Sequence, residues 1–143
     1  MRKIKIGLDF DGVVAYNPFR VIRAPITYFK RHILKTNKLK FWIPKAPWEK
    51  LLFEIIHRSS VFPATGVDLL KKMANDPRYE FHLVTGRYNF LFSDLDKWLI
   101  KHDLKHVFKS INGNQDNQQP FLFKEQVIKK LQLDYLNLDL WQA

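Results

Sequence analysis

Ile4-Lys5-Ile6-Gly7-Leu8-Asp9-Phe10-Asp11-Gly12-Val13-Val14 is the stretch that decides the fold: an apolar run ends in two carboxylates, and a glycine follows at once. Side chains alternate along a strand, so Asp9 and Asp11 lean the same way if the strand continues that far. Gly12 lets the backbone turn immediately afterwards. Like charges this close repel unless a cation or a shared proton relieves them. Removing one carboxylate is therefore expected to raise the melting temperature of metal-free protein. The pair asks for a divalent cation, and carboxylate oxygens suit Mg²⁺. A carboxylate beside such a cation can attack phosphorus while a second acid protonates the leaving group.

Three later stretches answer to the first. Tyr79-Glu80-Phe81-His82-Leu83-Val84-Thr85-Gly86-Arg87 reads as a strand whose end offers a hydroxyl and the amides of a following turn, both suited to an anion. Arg87 there is a planar fork that could contact a phosphate or pair with a helix-borne acid. Phe121 to Leu131 reads as a helix opened by Pro120. Lys124 is expected in its first turn, where a cation opposes the helix dipole and so suggests a task. Asp134-Tyr135-Leu136-Asn137-Leu138-Asp139-Leu140-Trp141 reads as a short strand carrying Asp139, with Leu138 and Leu140 beside it where a second acid could have stood.

Asp9-Phe10-Asp11-Gly12-Val13-Val14 resembles the first motif of the haloacid dehalogenase (HAD) superfamily of phosphatases, Asp-x-Asp-Gly-(Thr/Val)-(Leu/Val). Thr85-Gly86-Arg87, Lys124 and Asp139 follow in the order of that family's other three motifs. The resemblance implies that Asp9 is the nucleophile and Asp11 the acid–base. It implies that Thr85, Gly86, Lys124 and Arg87 form the phosphate-binding set. The metal set would be Asp9, Asp11 (through its backbone carbonyl) and Asp139, with Mg²⁺ as cofactor. The look is closest to the 5'-deoxyribonucleotidase-like branch, so a nucleotide or another small organic phosphate is the expected substrate. The single acid at the fourth motif departs from the family pattern, and a loosely held metal is the expectation. The chain stops four residues after Asp139, which reads as a minimal or a truncated version of such a domain.

Strand and helix patterns alternate along most of the 143 residues, predicting an α/β fold with a parallel Rossmann-like sheet flanked by helices. Strands are expected at 3–10, 79–85, 107–111 and 134–139. Val67, Leu70, Met73 and Ala74 mark one helical face, and Leu91, Leu95, Trp98, Leu99 and His102 another. In such sheets ligands sit at the carboxyl ends of the strands, where Asp9, Asp11, Thr85 and Asp139 all fall. Cysteine is absent, the N-terminus lacks a long apolar region, and no apolar run reaches the length of a membrane span. Those features fit a cytoplasmic protein.

The first motif and the next core helix stand nearly fifty residues apart. Residues 1–14 and 63–143 are accordingly assigned to the core, and 15–62 to a small helical cap inserted between them, with helices expected over 25–34 and 48–56. The insertion holds ten Lys or Arg against Glu49 and Glu54, a net of +8 out of +10 for the chain. With Tyr28, Phe29, Phe41, Trp42 and Trp48 interleaved, it could gather anionic substrates, stack bases of a nucleic acid, or be only a solvated face. An alternative function follows: a catalytically weak HAD-like scaffold whose basic aromatic insert binds nucleic acid or an anionic surface. The five histidines show no metal-ligand spacing, and His82 is expected to serve packing within its strand.

Overall fold

The computed structural model describes residues 2–16, 44–58, 60 and 62–137. The helix expected over 25–34 and residues Lys35, Lys38, Lys40, Trp42 and Asp139 lie outside them. In chain order the elements are β1 (Ile4–Asp9), β2 (Ala15–Tyr16), α1 (Pro47–Arg58), β3 (Phe62–Pro63), α2 (Val67–Ala74), β4 (Tyr79–Tyr88), α3 (Phe92–Lys101), β5 (Phe108–Asn114), α4 (Pro120–Leu131) and β6 (Tyr135–Asn137). Four strands form a parallel sheet in the order β5-β4-β1-β6, the α/β arrangement expected from the alternating patterns. Parallel neighbours need crossover connections, and α2, α3 and α4 supply them.

Alternation divides β1 between the two faces of the sheet. Leu8, with Phe10 beyond the strand end, joins Phe81 and Leu83 of β4, Val67 and Leu70 of α2, and Leu95 and Leu99 of α3 in one apolar core. Lys5, Gly7 and Asp9 face the other way, toward α4, where Lys5 Nζ donates to the Leu131 carbonyl at 3.1 Å. The parity that makes one side of β1 greasy is thus what turns Asp9 toward the helix carrying Lys124.

β4 and β5 run about three residues further than the sequence suggests. β4 continues through Thr85-Gly86-Arg87 to Tyr88, which pairs with Asn114 after a register shift. The polar run Asn112-Gly113-Asn114 is strand because it pairs with β4 and its side chains find partners there and in the loop that follows. Asn112 Nδ2 donates to the Leu83 carbonyl at 3.2 Å, and fully buried Asn114 both donates to and accepts from the Gln118 backbone. His82 is buried in β4, between Ser110 Oγ at 2.8 Å and Glu80 Oε1 at 3.0 Å.

β2 and β3 pair antiparallel, Ala15 with Pro63 and Tyr16 with Phe62, which brings these two points of the chain side by side. Glu49 Oε2 accepts from the amides of Lys45 and Ala46 and closes the first turn of α1. Phe53 meets Tyr88 edge to face at 5.6 Å, and Arg58 donates to Asp94 at 2.9 Å, which lays α1 against the end of β4 and the start of α3. Its other stripe, Trp48, Leu51, Leu52 and Ile55, stays exposed. No helix among the described residues is long and apolar enough to cross a membrane.

Candidate active site

Asp9 ends β1 at its carboxyl edge, and its Oδ2 accepts from Lys124 Nζ at 2.7 Å. The two side chains are 4% and 5% exposed, so this is a buried ion pair between residues 115 apart in sequence. Gly86 eases the approach. A Cβ there would lie 3.0 Å from Pro120 Cβ, so any side chain would push the start of α4 a few tenths of an ångström away from the end of β4. Pro120 is the first helical residue, which places Lys124 fifth, one turn in, rather than in the first turn as expected. The dipole opposes a cation less at that depth, and the Asp9 carboxylate compensates what remains.

Asp11 stands in the tight turn that follows. Gly12 has φ of 93°, a conformation that favours glycine, and its amide donates to the Ala15 carbonyl at 2.8 Å. Between the two acids, Phe10 points into the core, wholly buried and edge-on to Trp98 at 4.9 Å. Phe10 is therefore the anchor that fixes where both carboxylates emerge.

Arg87 reaches Asp11 with a bidentate fork, Nε to Oδ2 at 2.8 Å and Nη2 to Oδ1 at 2.6 Å. Its partner is an acid on the loop after β1, not a helix-borne one. The guanidinium lies 4.4 Å from the Phe10 ring centroid, and Nη2 also meets Ser60 Oγ at 3.2 Å and the His57 carbonyl at 3.4 Å. Ser60 Oγ in turn donates to Asp11 Oδ1 at 3.2 Å. Thr85 is fully buried beside this cluster, its hydroxyl accepting from the Arg87 amide at 3.3 Å.

Five of the expected site residues therefore converge with Gly86 at one sheet edge: Asp9, Asp11, Thr85, Arg87 and Lys124. The chain supplies each carboxylate with its own cation, Lys124 for Asp9 and Arg87 for Asp11, which offsets the repulsion expected of the pair. Removing either acid strands a guanidinium or an ammonium, and the expected gain in melting temperature becomes a loss. Ser60, 1% exposed, was not legible in the sequence: it sits in an unremarkable Ser59-Ser60 pair 49 residues from Asp11.

The donors suit a hard cation, since Asp9 and the Asp11 carbonyl offer oxygen at one strand end. With the Asp11 side chain turned to Arg87, the backbone carbonyl is the donor that fits. Among the described residues no three His, Cys, Asp or Glu side chains converge as a metal cluster, so a further acid would come from beyond residue 137, where Asp139 lies. Chemically, the arrangement offers a desolvated carboxylate held by an ammonium, with a second carboxylate held in a fixed orientation beside it.

No protein-family profile matches the chain, and no curated protein matches it either. Solved structures do. A haloacid dehalogenase-like family hydrolase from Streptococcus pneumoniae is 15% identical and superposes with a TM-score of 0.53 over 94% of this chain and 73% of that one. A Bacillus subtilis protein described as a HAD-hydrolase, YfnB, solved bound to magnesium, gives 0.54 at 14% identity over 91% and 74%. A Thermotoga maritima protein described as a beta-phosphoglucomutase gives 0.53 at 15% identity over 93% and 74%. At these identities the likeness is one of fold: the chain has the α/β architecture of the HAD-like hydrolases.

Proposed function

We propose that this protein is a Mg²⁺-dependent phosphomonoester hydrolase acting through an aspartyl-phosphate intermediate on a nucleotide or another small organic phosphate. The observation that carries this reading is the buried Asp9–Lys124 pair at the carboxyl edge of the sheet, with Asp11 one turn away. Asp9 attacks phosphorus as the bond from phosphorus to the leaving oxygen breaks, and Asp11, which enters this step protonated, gives that oxygen its proton. Water then attacks the aspartyl phosphate, passing a proton to Asp11, and phosphate departs with Asp9 restored. Lys124 Nζ moves from balancing Asp9 to bridging Asp9 and a phosphoryl oxygen, and Thr85 donates its hydroxyl to another. Mg²⁺, held by Asp9, the Asp11 carbonyl and Asp139, would supply positive charge against the phosphoryl oxygens.

Release of phenolate from a generic aryl phosphate, assayed with Mg²⁺ and with chelator, tests the reading. Turnover that needs Mg²⁺ is expected. A protein inert with Mg²⁺ that retains a radiolabelled oligonucleotide would instead favour the scaffold whose basic insert binds nucleic acid.

A further inference from the structure

Two of the three guanidinium nitrogens of Arg87, Nε and Nη2, are engaged within the protein. Nε and Nη2 both face Asp11, Nη2 is shared with Ser60 and the His57 carbonyl, and the side chain is 4% exposed over the Phe10 ring. A guanidinium clamped in this way fixes a carboxylate in two dimensions, which a single hydrogen bond cannot do. Ser60 adds a third contact from a different direction, and it sits in the connection between α1 and β3. The orientation of Asp11 is thereby tied to three separate pieces of chain: β4, the β1 turn and the α1–β3 connection.

We infer that Arg87 is a positioning residue for Asp11 rather than a ligand of the phosphoryl group, with Ser60 as its accessory. This inference rests on the proposed phosphatase reading and goes further by giving Arg87 and Ser60 separate tasks from Thr85 and Lys124. A misaimed acid–base slows turnover and leaves ground-state binding of the phosphoryl group alone, as expected of a guanidinium whose Nε and Nη2 are engaged by Asp11. Lysine at 87 restores the charge without the fork, so its rescue is partial.

Steady-state kinetics on an aryl phosphate, together with inhibition by inorganic phosphate, separate the two roles. For Arg87→Ala, kcat is expected to fall roughly 10²-fold, the order found when a reacting group is misplaced. KM and the inhibition constant for phosphate should stay within about threefold of the parent. Arg87→Lys should recover part of kcat. Ser60→Ala, a milder change that serves if Arg87→Ala fails to fold, should lower kcat severalfold with KM unchanged. A rise of tenfold or more in KM and in the phosphate inhibition constant for Arg87→Lys, with kcat near the parent value, would overturn the inference and make Arg87 a phosphate ligand. Unchanged kinetics for Ser60→Ala and Arg87→Lys together would overturn it as well. An inert wild-type protein defeats the phosphatase reading itself, and is told apart because the other failures leave the wild type active.

Discussion

Two aspartates stand two residues apart, yet the molecule surrounds them in opposite ways. Asp9 lies at the strand end, 4% exposed, with its Oδ2 on the tip of a flexible lysine. Asp11 lies in the turn, 15% exposed, with both oxygens taken by a rigid fork and one shared with a serine. An ammonium on a four-carbon stem can follow a carboxylate as it changes partners; a clamped guanidinium holds its partner still. The contrast suits a nucleophile that must move onto phosphorus beside an acid–base that must stay aimed. The residue type is the same at both positions, so in the proposed mechanism it is the neighbours that would set the two roles apart.

Substitution of the two acids presses this contrast hardest. Asp9→Asn should remove turnover altogether, since the amide cannot attack phosphorus. Asp11→Asn should leave a remnant, with a loss of roughly 10²–10⁴-fold. Both variants should also melt below the parent, because each leaves a buried cation without its counter-charge. Equal residual rates for the two would erase the distinction between them.

Next in size is the cost of stranding a charge. Lys124→Ala should destabilise by about 3–5 kcal/mol in urea unfolding, the range for breaking a buried pair by removing one partner. Lys129, five residues further along α4, pairs with Glu125 at 2.6 Å but is 74% exposed. Lys129→Ala should unfold like the parent, because solvent screens that pair. If the two lysine variants unfolded alike, the Asp9 pair would have to be as solvated as the surface one.

The smallest effect belongs to the turn before β4. Arg78 hydrogen-bonds the Asp76 carboxylate and holds it below the usual carboxylate range. Lowered on folding, that group adds stability above its unfolded pKa, and the contribution disappears as pH falls through the folded value. Asp76→Asn should therefore melt slightly below the parent at neutral pH. The two curves should merge in acid. A gap that widened on acidification would contradict the sign.

Much of the sheet could be read from sequence because β1 and the apolar stripes of α2 and α3 keep clean periods of two and of about three and a half residues. The ends of β4 and β5 could not. There Thr85 to Tyr88 and Asn112 to Asn114 are polar or glycine, and partners distant in sequence make them strand. Asp9, Asp11 and Lys124 were legible as a set through the resemblance of their motifs, in that order, to those of the HAD superfamily. The Arg87–Asp11 clamp and Ser60 were not, because a contact between a turn, a strand end and a distant loop leaves no spacing to find. In α1 the periodicity marks Trp48, Leu51, Leu52, Ile55 and Ile56 as one stripe; the helix packs through Phe53, Ile56 is half-buried, and the other four face outward.

The nucleophile is tested most directly by acid-quenching the protein during turnover of a substrate labelled in its phosphoryl group, then mapping the label by proteolysis. The expected result is label on the peptide containing Asp9, released by hydroxylamine as an acyl phosphate is, and absent from Asp9→Asn. Rapid hydrolysis with no label trapped on the wild type, or turnover that survives in Asp9→Asn, would contradict the assignment of Asp9 as the residue that attacks phosphorus.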